Sequence, residues 1–545
     1  MIIQKAMEEV QGILSKNYDF QARLVEPRGG YGDLAFACFE HARANKKDPR
    51  DDASKIAKSL PKMHYFEHAE ALNGFVNLHY SQAFYEESLA AINENCGKTD
   101  YGKNKLVIVE HSSPNVGKPM HIGHLRCTIL GDAIANILDK TGYRVVRSNY
   151  LCEAGKQVAL LLAAIDEQKE KPKNEKELAE LYASASGNPL MEEKAKEKLE
   201  LMESGDAATL KQLRGVRALS VQPLRDNYAR LGVEFDEELY DTDFVDKAKE
   251  IAGEAISKKV AVKEETGETV VKLEPAMPNY VLLRSNNTTL YATRDLALAD
   301  YRFEKHSFDE CVYVTASDQN MHFKQFFKTL ELLGRGYASR LRHVGYGLLS
   351  LPGGKMSTRE GRVILVDEFL DKAVSAAEKE VRARQEYSNE EIAGIAEAVA
   401  LGATKFAVLK VGSEKNIVFN ASKVTKFEGH TGAFLQYSVV RCKGILDKAG
   451  SFDSDYAGPF NEFEENLIER LAYYQRALNQ SSRNLAPHSL CEYLLELADD
   501  YSSFYANCKV LKSKEQAKRL TLVKATLFVL EDGLRALGIR APDKM

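Results

Sequence analysis

Residues 106–139, LVIVEHSSPNVGKPMHIGHLRCTILGDAIANILD, constrain this chain more than any other stretch. The apolar, β-branched opening at 106–109, closed by Glu110, predicts a buried strand. A loop with Ser112, Ser113, Pro114, Asn115, Gly117 and Pro119 follows, and a helix is expected to begin near His121. Strand, polar loop and helix start form the layout in which α/β folds hold nucleotides, because free amide groups and the helix dipole attract phosphate. This helix start carries His121, Gly123, His124 and Arg126, with Lys118 just upstream. Three residues apart, the two histidines share a face, where imidazoles can donate hydrogen bonds to a phosphate gaining charge in a transition state. Gly123 leaves room for a flat base or ribose.

The rest of the chain frames that stretch. Its 545 residues exceed one ordinary domain and suggest roughly two to four. A net charge of −5 does not announce a nucleic-acid binder, so such a partner would be met by local basic patches. None of the eight cysteines forms a C-x-x-C pair, which argues against a zinc knuckle and fits a reducing compartment. The N-terminus lacks a signal-peptide layout, and no apolar run is expected to approach the roughly 20 residues of a membrane span. A cytoplasmic, multidomain α/β protein is the expectation.

Residues 1–100 read as a small α/β domain. Ile3, Met7, Val10, Ile13 and Leu14 mark an amphipathic first helix, and a glycine cluster at 29–32 precedes a second helix expected from Asp33. Asp48 and Pro49 suit the start of a third, and residues 74–79 alternate like a strand. A Rossmann-like core is placed at 101–375, with an insertion at about 167–275. Residues 167–215 are strongly charged and read as solvated helices outside the sheet, and ETGET at 265–269 reads as a hairpin turn in the same insertion. The core resumes at Tyr280–Leu283. From 376 to 545 the pattern is helical; residues 501–545 hold nine Lys/Arg against four Asp/Glu, so this end suits either RNA contact or a solvated bundle.

A second loop, GGKMSTR at 353–359, carries cations suited to a triphosphate. HIGH at 121–124 followed by KMSTR at 355–359 resembles the signature pair of class I aminoacyl-tRNA synthetases. The flanks narrow this: VEHSSPNVGKPMHIGHLR, LYATRDLALAD, SDQNMHFKQ and TGAFLQYSVVR are similar to the arginyl-tRNA synthetase family. The helical end, FYANCKVL to APDKM, is similar to that family's anticodon-binding domain, and the resemblance covers nearly the whole chain except the charged insertion.

The resemblance implies ATP, L-arginine and tRNA(Arg) as substrates, with ATP as its Mg2+ complex, no zinc, no membrane, and a monomer as the usual form. Arginine is first activated to its adenylate and then passed to the terminal ribose of the tRNA. Catalytic roles fall to His121, His124, Lys118 and Lys355, and ATP contacts to Gly123, Met356, Ser357 and the two histidines. Glu110, Ser112, Asn115, Tyr291, Asp295 and Gln319 are implied for arginine, and the N-terminal domain for tRNA. The wider class has lysine where this chain has Thr358; Lys118 is the expected substitute cation, with Arg359 as second candidate. Two other readings are a class I synthetase for another amino acid and a catalytically dead binding protein. The length leaves no space for a large editing insertion, and the retained His121, His124, Lys118 and Lys355 argue against a dead centre.

Overall fold

The computed structural model describes residues 2–27, 31–350, 364–383, 387–419, 426, 429–453 and 458–545. The chain forms two compact units, residues 1–98 with 437–479 and 492–533, and residues 99–436 with 480–491 and 534–545.

In the first unit, α1 (Ile2–Tyr18) buries Ile3, Ala6, Val10 and Leu14, the stripe that a 3.6-residue period requires. It is followed by β1 (Leu24–Val25), β2 (Leu34–Ala37), α2 (Phe39–Ala44) and α3 (Pro49–Ser59), the last capped by the Asp48 side chain. Strands β3 (Phe66–Leu72) and β4 (Phe75–Tyr80) complete an antiparallel sheet in the order β1-β2-β4-β3, and α4 (Gln82–Ala91) closes the segment. The helix expected from Asp33 is therefore wrong. Leu34, Ala35 and Phe36 are all buried as strand β2, and helix begins only at Phe39. Cross-strand pairing with β4 overrides a run that local pattern left ambiguous. This unit also holds the helices Glu462–Ala472, Tyr474–Asn484 to residue 479, and most of Pro487–Asn507 and Gln516–Ala536.

The second unit is built on β5 (Leu106–Glu110), α5 (Ile122–Lys140), β6 (Arg144–Leu151) and α6 (Lys156–Asp166). Helices α7 (Glu175–Ala185), α8 (Pro189–Glu203) and α9 (Ala207–Leu231) occupy the first part of the span read as an insertion. Next come β7 (Glu237–Tyr240), α10 (Val245–Ser257), β8 (Ala261–Lys263), β9 (Thr269–Val271), β10 (Tyr280–Leu283), α11 (Tyr291–His306), β11 (Glu310–Ala316), α12 (Asn320–Leu332) and β12 (Leu341–Tyr346). Five of these strands pair in parallel in the order β12-β11-β5-β6-β7. Two expectations need correcting. Strand β7, inside the span 167–275, belongs to this sheet, while β10 does not: it joins the β8–β9 hairpin in a separate three-stranded sheet. Four residues are too few for periodicity to reveal which sheet receives a strand.

The remainder comprises β13 (Leu349–Ser350), α13 (Val366–Arg382), α14 (Asn389–Leu409) and β14 (Ile417–Val418), with Gly432–Ala449 beyond. Helix α14 is long and apolar enough to cross a membrane, an exception to the expectation above, but 67% of its apolar window is buried inside the protein. It packs on α13 and α5 as a core helix.

Candidate active site

Strand β5 is flanked by β6 on one side and β11 on the other, so the chain order reverses beside it, where open parallel sheets bind ligands. A cavity of about 600 Å³ opens there, past the carboxyl ends of the strands. Glu110 ends β5, Cys152 follows β6, Asp241 follows β7, Thr315 and Ala316 end β11, and Tyr346 ends β12. Of the residues singled out in sequence, Glu110, Ser112, Asn115, His124, Tyr291, Asp295 and Gln319 line this cavity. His121, Gly123 and Lys118 do not line it; they lie on the loop and the first turn of α5. Lys355, Met356, Ser357, Thr358 and Arg359 fall outside the described residues.

Helix α5 starts on an unusual cap. The His121 side chain accepts the Gly123 N–H at 3.1 Å, and the His124 Nδ1 accepts the His121 N–H at 3.3 Å. The rings stack, with centroids 3.9 Å apart. Because Nδ1 of each ring is an acceptor, the proton of each neutral imidazole sits on Nε2, leaving one N–H donor apiece. Burial lowers both pKa values, that of His124 to about 3, and the charge of Lys118 pushes the same way. These are neutral hydrogen-bond donors at neutral pH. A Cβ on Gly123 would stand 2.8 Å from the His121 ring, so the glycine serves the stacking of its own neighbour as well as any bound base.

Lys118 is half-buried, its Nζ 4.8 Å from the centre of the Tyr182 ring, and burial lowers its pKa. Arg126, read in sequence beside the histidines, has a different job. Wholly buried, it donates to four backbone carbonyls, of Gly347, Gly412, Ser413 and Lys415, at 2.5–3.3 Å. The chain flanking the KMSTR loop is fixed close by. On one side β13 pairs with β14; on the other, Ile122 N–H donates to the Ile364 carbonyl and Val366 N–H to that of Met120.

Three carboxylates line the cavity, and they differ in their partners. Glu110 is bound by the wholly buried Arg302 at 2.5 Å. Burial opposes the charge on Arg302, but Glu110 outweighs it and the guanidinium pKa is raised. Asp241 pairs with Arg294 at 3.2 Å and accepts the N–H groups of Glu153 and Ala154. Asp295 has no arginine partner among the described residues. Its Oδ2 meets His322 Nε2 at 2.8 Å, and the other His322 nitrogen lies 3.0 Å from the Tyr280 hydroxyl. Tyr291, 54% exposed and one helical turn before Asp295, packs its ring 4.7 Å from the same imidazole. Arg294, next to Asp295 in the chain, pairs with Asp241 and not with its neighbour. The sequence does not single out Asp241, Arg302 or His322 as residues of this site, although His322 lies within the quoted SDQNMHFKQ motif.

Comparison with known proteins agrees along the whole length. The description "tRNA synthetases class I (R), catalytic domain" matches residues 88–421, "DALR anticodon binding domain" 435–545, and "Arginyl tRNA synthetase N terminal domain" 1–80. The arginine–tRNA ligase of Clostridioides difficile is 34% identical, over 96% of this chain and 95% of its own. That of Clostridium beijerinckii is 32% identical over 98% and 99%. Solved arginyl-tRNA synthetases of Thermus thermophilus and Plasmodium falciparum share the fold, with TM-scores of 0.83 and 0.85 at 24% and 21% identity over all of this chain and 100% and 99% of theirs. With the catalytic, anticodon-binding and N-terminal parts all matched in order, this chain belongs to the arginyl-tRNA synthetase family, class I ligases that use ATP to join arginine to tRNA.

Proposed function

We propose that the cavity at the end of β5 is where arginine and ATP meet, with roles divided along the loop 110–124. The observation that carries this is the pairing of the three carboxylates. Two are matched by arginines of the chain itself, and the third, Asp295, faces the cavity beside an imidazole only. A guanidinium is permanently charged and planar, and an ionised carboxylate beside an aromatic ring is its natural partner. Asp295 and Tyr291 receive the side chain of the substrate. Glu110 contributes through Oε1, since Oε2 holds Arg302. Ser112, Asn115 and Gln319 hold the amino-acid end.

The arginine carboxylate then attacks the α-phosphate of ATP, and pyrophosphate leaves. The protein needs no covalent nucleophile; orientation and charge stabilisation carry the rate. The Nε2–H groups of His121 and His124 donate to the phosphates as neutral hydrogen-bond donors. Gly123, Met356 and Ser357 contact ATP, and Lys355 contacts the leaving pyrophosphate. Lys118 stands in for the cation missing at Thr358, supported by the reach of its charge to both imidazoles. ATP brings Mg2+ as part of the substrate complex; among the described residues no group of three or more His, Cys, Asp or Glu could hold a metal ion. A cytoplasmic, reducing setting fits eight free cysteines, seven of them buried, and a monomer is the form the family resemblance implies.

Pyrophosphate exchange with each amino acid, with and without tRNA, tests this reading. Exchange is expected with arginine alone among the amino acids. Asp295→Asn should raise KM for arginine about a hundredfold, the cost of losing one charged partner of a desolvated pair. The KM for ATP should stay within about threefold. Equal losses in both would place Asp295 outside the arginine subsite.

A further inference from the structure

We propose that the helical insertion α7–α9 is a clamp that sets the geometry of the loop 112–118, with Tyr228 and Ser220 as positioning residues for the first reaction step. The proposal rests on the assignment above of Ser112 and Asn115 to arginine and of Lys118 to phosphate.

The loop needs holding. Ser112 and Ser113 have φ of 69° and 44°, in the left-handed region that side-chain-bearing residues avoid unless their surroundings impose it. The imposition is a hydrogen-bond chain whose direction can be read. Thr128 Oγ1 donates its only proton to the His124 carbonyl at 3.0 Å, so it must accept from Ser112 Oγ at 2.9 Å. Ser112 has then spent its own proton, and the Tyr228 hydroxyl, at 2.7 Å, must donate to it. Asn149 Nδ2 in turn lies 3.4 Å from the Tyr228 oxygen, while Asn149 Oδ1 accepts the Ser113 N–H at 3.1 Å. One polarised run thus goes from Asn149 through Tyr228 and Ser112 to the turn bearing His124.

A second grip lies five residues on. Ser220 Oγ donates to the Val216 carbonyl and accepts the Gly117 N–H at 3.0 Å. Gly117 has φ of 82°, and a Cβ there would stand 2.7 Å from Leu161 of α6 and 3.6 Å from Val216 of α9, so the loop is packed against both helices. A third contact is the Tyr182 ring of α7 beneath Lys118. Tyr228 therefore fixes the arginine end of the loop and Ser220 the phosphate end.

Tyr228→Phe removes the donor but keeps the ring that packs on Phe235. In pyrophosphate exchange it should raise KM for arginine about tenfold, one hydrogen bond's worth, with KM for ATP nearly unchanged. Ser220→Ala should do the reverse, raising KM for ATP, and Ser220→Thr should restore it. Equal changes in both constants, or a lower melting temperature with both constants intact, would overturn the clamp and leave a purely structural contact. Asn115→Ala, a direct contact, separates the two levels. If it leaves KM for arginine unchanged, the loop assignment itself fails. If it raises KM while Tyr228→Phe does not, the clamp alone fails.

Discussion

Burial fixes the charge state of single residues here, and the consequence can be measured. His111 is wholly buried directly after Glu110, and His124 is half-buried at the edge of the cavity; burial brings both pKa values from 6.5 to about 3. The unfolded chain takes up protons at these positions near 6.5, while the folded one stays neutral down to about 3. Stability is therefore complete above that upper value and falls as pH drops towards the lower. The melting temperature should be lower at pH 5 than at pH 7, and His111→Leu should make the fall shallower. An unchanged slope in that variant would remove His111 from the account. The sequence made the local part of this site legible. His121, His124, Lys118 and Glu110 lie within 15 residues, and their chemistry follows from strand, loop and helix start. It could not show which charges are neutralised. Glu110 meets Arg302 from 192 positions away, and Asp241 meets Arg294 across a different stretch again. Such pairs depend on which helix packs over which strand, and nothing in local spacing encodes that.

Elements tell the same story. Helices with a clear apolar stripe or a clear start signal, such as α1, α3 and α5, follow from the sequence, while short strands such as β2, β7 and β10 are decided by their partners. Interior polar anchors are the least legible. The helix Glu462–Ala472 begins with Asn461 and Glu464 capping each other's backbone. The side chain of Glu464 is fully buried and also binds Arg519 at 2.8 Å and Lys518 at 3.1 Å, both at the start of Gln516–Ala536. Burial opposes the charge on Glu464, but these partners overcome it and its pKa is lowered. Replacing it removes the fully buried one of the two carboxylates on Lys518, itself 5% exposed, and leaves that cation with Glu515 at 3.1 Å and the Pro459 carbonyl at 2.7 Å. Glu464→Ala should destabilise this unit by about 2–3 kcal/mol, the scale of lost hydrogen bonds to charged groups. Glu464→Gln, which keeps the volume and one acceptor, should cost less. Chemical denaturation followed by circular dichroism reads both; a loss below about 1 kcal/mol in the alanine variant would mean that water replaces the pairing.

At the scale of the whole molecule, the family's three parts in sequence and the two compact units in space do not coincide. The chain passes from one unit to the other at 98–99, 436–437, 479–480, 491–492 and 533–534. The N-terminal segment therefore shares a core with helices some 400 residues later. Tyr80, stacked on Phe84 with centroids 3.6 Å apart, holds its buried hydroxyl 3.0 Å from that of Tyr473. Tyr85 packs its edge towards Phe460, Arg476 pairs with Glu26 at 3.0 Å, and Gln475 donates to the Cys96 carbonyl. A shared core unfolds as one cooperative piece, and removing part of it exposes apolar surface on the rest. Deleting residues 1–98 should therefore do more than remove one family part: amide hydrogens in the helices between 460 and 533 should exchange faster. Those of β5, β6 and β11, in the other unit, should keep their protection. Unchanged exchange across 460–533 would mean that the helical bundle is complete without its N-terminal partner. The boundary between the first two family parts would then also be a boundary of folding.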